Sequence, residues 1–177
     1  LINSSFKVSH FKTFIDSNLF FRKTDFSYVL FTTVIFLILD FKRENWSGLV
    51  KNACRERIYP VGRLDRNTTG LLLITNDGDM AKKLIHPSHE IRKVYHVITD
   101  KNVTIADLKR LETGIELEDG IAKADAALFA GDGSVRNEIG LEIHSGKNRI
   151  VRRMFQAMGY EVTRLDRAAF AGLSKKG

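Results

Sequence analysis

Cysteine is nearly absent from this chain: of 177 residues only Cys54 carries a thiol. An internal disulfide is therefore excluded, no Cys/His zinc framework can be drawn, and a reducing, cytoplasmic setting is the default. Glycine and proline are missing altogether from residues 1–47, although that stretch holds nine of the twelve phenylalanines. Turns draw on glycine for positive φ and on proline for fixed φ, so a compact domain rarely lacks both. All thirteen glycines and both prolines lie from Gly48 onward. We place a boundary there, with 1–48 an atypical segment and 49–177 a single domain. The third absence is an apolar run long enough to cross a bilayer. Tyr28 to Leu39, YVLFTTVIFLIL, falls short of the roughly 20 residues a spanning helix needs. It also lacks the basic start and small-residue cleavage site of a signal peptide. Arg22, Lys23 and Asp25 argue against a membrane tether, and the β-branched and aromatic content of the run suits a buried strand. The sequence opens on Leu1 and not on Met, which suits a fragment or a mis-joined reading frame.

What is present in excess is positive charge. The net charge is +7, and it is clustered. Between Lys147 and Lys176 stand eight Lys or Arg residues against Glu161 and Asp166. Lys51, Arg55, Arg57, Arg63 and Arg66 form a second cluster against Glu56 and Asp65. Such clusters suit an anionic partner, most often nucleic acid, and equally a solvated surface.

From Gly48 onward the pattern alternates between periods of two and of 3.6. Leu71 to Thr75 reads as a short buried strand closed by the turn NDGD, with a short helix over 79–85 stopped by Pro87. Glu90 to Thr99 reads as a strand, with Tyr95 and Val97 on one face. Thr104 can cap a helix whose Ile105, Leu108 and Leu111 share a side, with Gly114 as its stop. Turn signals at Asp119-Gly120 and Gly131-Asp132-Gly133 bracket a strand from Ile121 to Ala130, and Ile139, Leu141 and Ile143 alternate as the next. The clearest helix runs from Arg149 to Met158, with Ile150, Val151, Met154, Phe155 and Met158 on one arc. A last strand covers Tyr160 to Leu165. The class is α+β, with a mixed, largely antiparallel sheet flanked by helices.

The segment PVGRLDRNTTGLLLITNDGD is the most informative. If Gly62 to Asp65 is extended, Arg63 and Asp65 point to the same side. A carboxylate among cations keeps the charged form that nucleophilic or basic chemistry needs. Read alone, Asp65 serves as well as a turn aspartate, Tyr95 as a strand-core aromatic, and Lys147, Arg149 and Arg153 as a solvated face. Arg152 and Arg153 border the apolar arc of their helix equally. His86 and His89 have a metal-like spacing but no third ligand nearby, DGD lacks the other positions of a calcium loop, and no Walker lysine is present.

GRLDRNTTGLLLITNDGD resembles the signature of the RsuA family of ribosomal RNA pseudouridine synthases, and the likeness continues in order through HPSHEIRKVYHV, LEDGIAKAD and GKNRIVRRMFQAMGYEVTRLDR. It covers roughly residues 49 to 177. The resemblance implies the pseudouridine synthase fold, no cofactor and no metal, and an isomerase acting on uridine in ribosomal RNA. The LDR…FAGLSKK ending looks more like large-subunit than small-subunit enzymes. It further implies Asp65 as the catalytic carboxylate, Tyr95 as the residue packed on the target base, and Arg152 as the partner of Asp65. Arg63, Arg66, Lys93, Lys147, Asn148, Arg149 and Arg153 would meet the nucleotide or its phosphates. Ribosomal RNA is the expected partner, with no membrane, and a monomer is expected. The family usually begins with a small RNA-binding module and a strand carrying N-K-P, and continues past AGLS with another strand. Neither feature is visible in these 177 residues. A catalytically impaired RNA-binding fragment is therefore the alternative.

Overall fold

A computed structural model describes residues 57–175 and, as backbone, the strand Ile35–Ile38. Cys54 and the cluster members Lys51, Arg55 and Lys176 lie outside the described residues, as does the remainder of 1–56.

Three sheets carry the fold. The first has strand order β1-β4-β2, from β1 (Ile35–Ile38), β2 (Tyr59–Pro60) and β4 (Leu72–Thr75). All four residues of β4 are buried, as the run LLLIT requires of a strand covered on both faces. Both neighbours of β4 are antiparallel. One of them comes from the segment before Gly48, so backbone from the glycine-free stretch takes part in the domain's sheet.

The larger sheet runs β11-β10-β5-β9-β8, with β3 (Thr68–Gly70) paired to β10. Its members are β5 (Lys93–Thr99), β8 (Ala126–Phe129), β9 (Glu138–Ile143), β10 (Val162–Phe170) and β11 (Leu173–Ser174). Only the β3–β10 pairing is parallel; the rest are antiparallel, which agrees with the expected class. The third sheet is the hairpin of β6 (Ile115–Leu117) and β7 (Gly120–Ala122).

The helices start and stop where their sequence signals stand. The Asp77 side chain caps α1 (Gly78–Ile85) by accepting from the Met80 amide at 2.9 Å. A 3₁₀ turn over Pro87–His89 follows. Thr104 caps α2 (Ile105–Thr113) by accepting from the Asp107 amide at 3.1 Å. Helix α3 (Ile150–Ala157) buries Ile150, Val151, Met154 and Phe155, four of the five residues of the expected arc, while Met158 stands at its C-cap and is half-buried.

Four expectations are corrected. The strand from Glu90 starts only at Lys93, because the 3₁₀ turn leaves Glu90 in a left-handed conformation at φ 47. Ile105 is 57% exposed and does not share the buried side of Leu108 and Leu111, since the first helical turn overhangs the core. The strand from Ile121 to Ala130 is two, β7 and β8, broken where the Ala124 amide turns to the Leu111 carbonyl and Asp125 to Glu142. The last strand continues past Leu165 to Phe170 and carries Arg167 with it.

Two apolar clusters result. The larger lies between the main sheet and α2 and α3, around Val97, Leu111, Leu141, Met154 and Phe155. The smaller gathers Val61, Leu71, Leu73, Ile91 and Phe170 beside the β4 sheet. The chain passes from the smaller to the larger along β5, between Ile91 and Val97, and back along β10, between Leu165 and Phe170, and the candidate site is lined by both.

Candidate active site

The described residues form a cleft of about 260 Å³, just under the range of roughly 300–1,000 Å³ usual for small-molecule sites and suited to one nucleoside. Val61, Leu84 and Phe170 line it from the smaller cluster, and Ile150, Val151 and Leu165 from the larger. One acidic side chain lines it, Asp65, among five basic ones: Arg63, Lys93, Lys147, Arg149 and Arg167.

Asp65 sits in the irregular stretch between β2 and β3, with Arg63. Its carbonyl accepts from the Thr68 amide at 2.9 Å, closing a tight turn that leads into β3. The turn reading of Asp65 is therefore right for its backbone, while its side chain faces the cleft. Among the described residues no ion pair holds the Asp65 carboxylate.

Tyr95 and Lys93 project from β5 into the same cleft. Burial pushes the Tyr95 phenol up from its ordinary range, while the Arg167 guanidinium pulls it back by charge and hydrogen bonding and the nearby Asp65 adds to the rise. Lys93 Nζ donates to the carbonyls of Ile91 at 3.1 Å and His144 at 2.7 Å. Burial, aided by the positive charge of Arg167 and opposed by Asp125, brings its ammonium down to about 8.

The loop before α3 forms another wall. Ser145 to Arg149 line the cleft, and Arg149 takes a left-handed conformation at φ 47 and ψ 31 with no side-chain cap for the helix. A non-glycine residue held there signals a backbone that its surroundings over-determine, which is common at ligand sites. Lys147 Nζ donates to the Asp119 carbonyl at 2.8 Å, tying this loop to the β6–β7 turn.

Of the residues singled out in the sequence, Arg63, Asp65, Lys93, Tyr95, Lys147, Asn148 and Arg149 share this cleft; Arg66, Arg152 and Arg153 do not line it. Arg66 is exposed beyond Asp65. Arg153 is held by Asp119 through a two-pronged ion pair at 2.6 and 3.1 Å. The expected pairing of Arg152 with Asp65 is not formed. Arg152 Nη1 donates to the Val162 carbonyl and Nη2 to that of Asn67, both at 2.7 Å. Burial lowers its pKa, the charge of Arg149 adds to the fall, and Asp65 counters it at a distance. Arg152 thus clamps the backbone two residues beyond Asp65.

One residue in the cleft was missed by the sequence reading. Arg167 stands directly opposite Tyr95 in the β5–β10 pairing. Its signal was the alternation Leu165-Asp166-Arg167, which puts Arg167 on the face of buried Leu165; ending the strand at Leu165 hid it.

The cleft thus sets one carboxylate and a tyrosine among five cations. A family model described as RNA pseudouridylate synthase matches residues 41–157, and the chain belongs to that family. It is 50% identical over 125 residues to the ribosomal large subunit pseudouridine synthase B of Bacillus subtilis, covering 69% of this chain and 51% of that protein. It is 42% identical over 114 residues to an uncharacterized RNA pseudouridine synthase of Aquifex aeolicus, covering 64% and 46%. The chain spans about half the length of these relatives. A solved pseudouridylate synthase superposes with a TM-score of 0.59 at 29% identity, covering 66% of this chain and 50% of that one. The structure of an H/ACA RNP bound to a substrate RNA containing 2'-deoxyuridine reaches 0.62 at 14% identity, a likeness of fold alone; it covers 80% of this chain and 49% of that one.

Among the described residues no helix is long and apolar enough to cross a membrane, and no cluster of His, Cys, Asp and Glu could hold a metal ion.

Proposed function

We propose that this chain isomerises uridine to pseudouridine in ribosomal RNA, with the large-subunit RNA as substrate and residues 49–177, completed by β1, as the catalytic unit. The observation that carries the reading is the sharing of one nucleoside-sized cleft by Asp65 and Tyr95, with no other acidic side chain on its walls among the described residues. The name of the Bacillus subtilis relative supports the choice of RNA.

In this reading the uridine leaves its helix and stacks on Tyr95. Asp65 attacks C1′, or takes a sugar proton to give a glycal. In either case the N1–C1′ bond breaks, uracil turns, a C5–C1′ bond forms, and the C5 proton leaves. Nothing is oxidised or reduced, and no external group is transferred, so the reaction needs no cofactor. Arg63, Lys147, Asn148 and Arg149 line the same cleft and would take the phosphates and sugar. Lys93, anchored by the carbonyls of Ile91, His144 and Ser145, adds charge to the cleft. Arg152 acts by fixing the Asn67 carbonyl, and with it the turn that presents Asp65. Arg66, outside the cleft, would meet flanking RNA, and Arg153, held by Asp119, would contribute less. The protein works in the cytoplasm as a monomer.

The test is release of tritium from [5-³H]uridine-labelled ribosomal RNA. Asp65→Asn should abolish release while leaving RNA binding nearly intact. Undiminished release would remove Asp65 from the mechanism, and binding without turnover by the unaltered chain would make it an RNA-binding fragment.

A further inference from the structure

Arg167 is the cleft residue to which the proposed reaction gives no work. It is only 3% exposed, and a guanidinium out of water needs its N–H donors met. They are met incompletely. Nε donates to the Leu71 carbonyl at 2.8 Å, and the guanidinium carbon stands 4.7 Å from the centre of the Phe170 ring. Tyr95 stands directly opposite Arg167 on β5, and both side chains line the cleft. Nη2 is buried without a partner, and among the described residues no carboxylate pairs with Arg167.

The backbone is built to hold this side chain in place. Arg167 is flanked by Tyr95 on β5 and by Gly70 on β3. The register of β10 against β5 shifts immediately afterwards, between Arg167 and Ala169. A bulge at that point re-aims the side chain before it, a device common beside active sites. Arg152 is directed elsewhere: its terminal nitrogens donate to the Val162 and Asn67 carbonyls and it does not line the cleft, although its Nε is likewise buried without a partner. A fixed cation opposite a tyrosine, in a cleft that also holds Asp65 and with one donor unmet, is the pattern of a site completed by its ligand.

Resting on the reading of the cleft as a uridine site, we propose that Arg167 positions the Tyr95 hydroxyl for that chemistry and gives its free Nη2 donor to an oxygen of the bound nucleotide. The Leu71 carbonyl and the Phe170 ring fix the plane of the guanidinium, so that two of its edges serve the site without a search for geometry. A lysine in its place would supply the charge but not the planar fork.

The experiment uses the full 177-residue chain as wild type, Arg167→Gln and Arg167→Lys. Ionisation of Tyr95 is followed by NMR on ¹³Cζ-labelled tyrosine and assigned with Tyr95→Phe; pseudouridine formation is followed on transcribed large-subunit ribosomal RNA. Arg167→Gln should move the Tyr95 titration to higher pH and lower kcat by about tenfold or more, with KM changed far less, since a misplaced reacting group costs rate before it costs binding. Arg167→Lys should keep the Tyr95 titration near that of the wild type and recover only part of kcat. A merely structural role would lower thermal stability in both variants and leave the Tyr95 titration where it was, and that result overturns the proposal. Wild-type turnover in Arg167→Gln overturns it as well. A wild-type chain that makes no pseudouridine while Tyr95 still responds to Arg167 would instead overturn the functional reading and leave the contact standing.

Discussion

Gly70 and Arg167 are packed so closely that a Cβ on the glycine would lie 2.4 Å from both the backbone nitrogen and the carbonyl oxygen of the arginine. The parallel register of β3 on β10 sets this approach, and Gly70 itself has φ +116, where side chains are strained. Neither obstacle can be relieved by a rotamer change, because the clash is with main chain. Gly70→Ala should therefore cost at least about 2–3 kcal/mol, combining overpacking with backbone strain. Its denaturant midpoint should fall with the slope unchanged. A variant as stable as the wild type would show that the two strands can part without loss.

Arg149 and Arg153 look alike in sequence, both on the polar side of α3, and the structure separates them. Arg153 is already neutralised by Asp119, whereas Arg149 stands exposed at the cleft. An RNA phosphate gains little from a cation that must first leave a carboxylate. Arg149→Gln should weaken RNA binding and reduce the slope of log affinity against log salt by about one. Arg153→Gln should change both less. Filter binding over a salt series reads this, and equal slopes for the two variants would sink the distinction.

Much of this was legible in the sequence. The buried strand around Leu73, the arc of α3 and the caps Thr104 and Gly114 follow from spacing and turn chemistry, whereas a shared site for Arg63, Asp65 and Tyr95 was implied only by the family resemblance. What was not legible depends on contacts distant in sequence. The Arg152 nitrogens reach carbonyls 85 residues back and 10 ahead, and nothing local favours those over a carboxylate. Arg167 reaches the site only because β10 outlasts Leu165, and polar Asp166 and Arg167 hid that continuation. Asp166 is itself buried, bonded to Thr69 at 2.6 Å and to Lys175 at 2.7 Å. A pattern reading marks such pairs as surface, since it cannot see the partners that make their burial tolerable.

Lys93 gives the cleft a pH dependence. Its ammonium titrates at about 8 in the free protein, held down first by burial and then by Arg167, and a phosphate or nucleotide brought close favours its charged form. RNA binding should therefore take up a proton as pH rises through about 8, and affinity should fall across that window. Lys93→Met should bind more weakly below pH 8 and lose the inflection. Titration calorimetry in two buffers of different ionisation enthalpy measures the proton directly, and identical observed heats in the two buffers near pH 8 would exclude Lys93 from the linkage.

The cap of α2 should make the domain sensitive to acid. Asp107 accepts from the Thr104 hydroxyl at 2.7 Å, from the Tyr160 hydroxyl at 2.8 Å and from Arg110 at 3.0 Å. The bonds from Thr104 and Tyr160 lead in holding its carboxyl below the ordinary value, against a smaller opposing effect of burial. Because the folded pKa lies below the unfolded one, the stability Asp107 contributes is fully present above about pH 4 and is lost as pH falls through the folded value. Tyr160→Phe removes one of the leading bonds, so its deficit against wild type should be largest near neutrality and shrink in acid, as the carboxyl protonates in both proteins. Thr104→Ala should cost about 1 kcal/mol near pH 7 as a lost N-cap, and part of that loss should persist in acid because the Asp107 amide loses its acceptor at every pH. Denaturant unfolding of the two variants at pH 3 and 7 tests the contrast, and a Tyr160→Phe deficit that is the same at both would mean that the hydroxyl stabilises α2 without engaging the charged carboxylate.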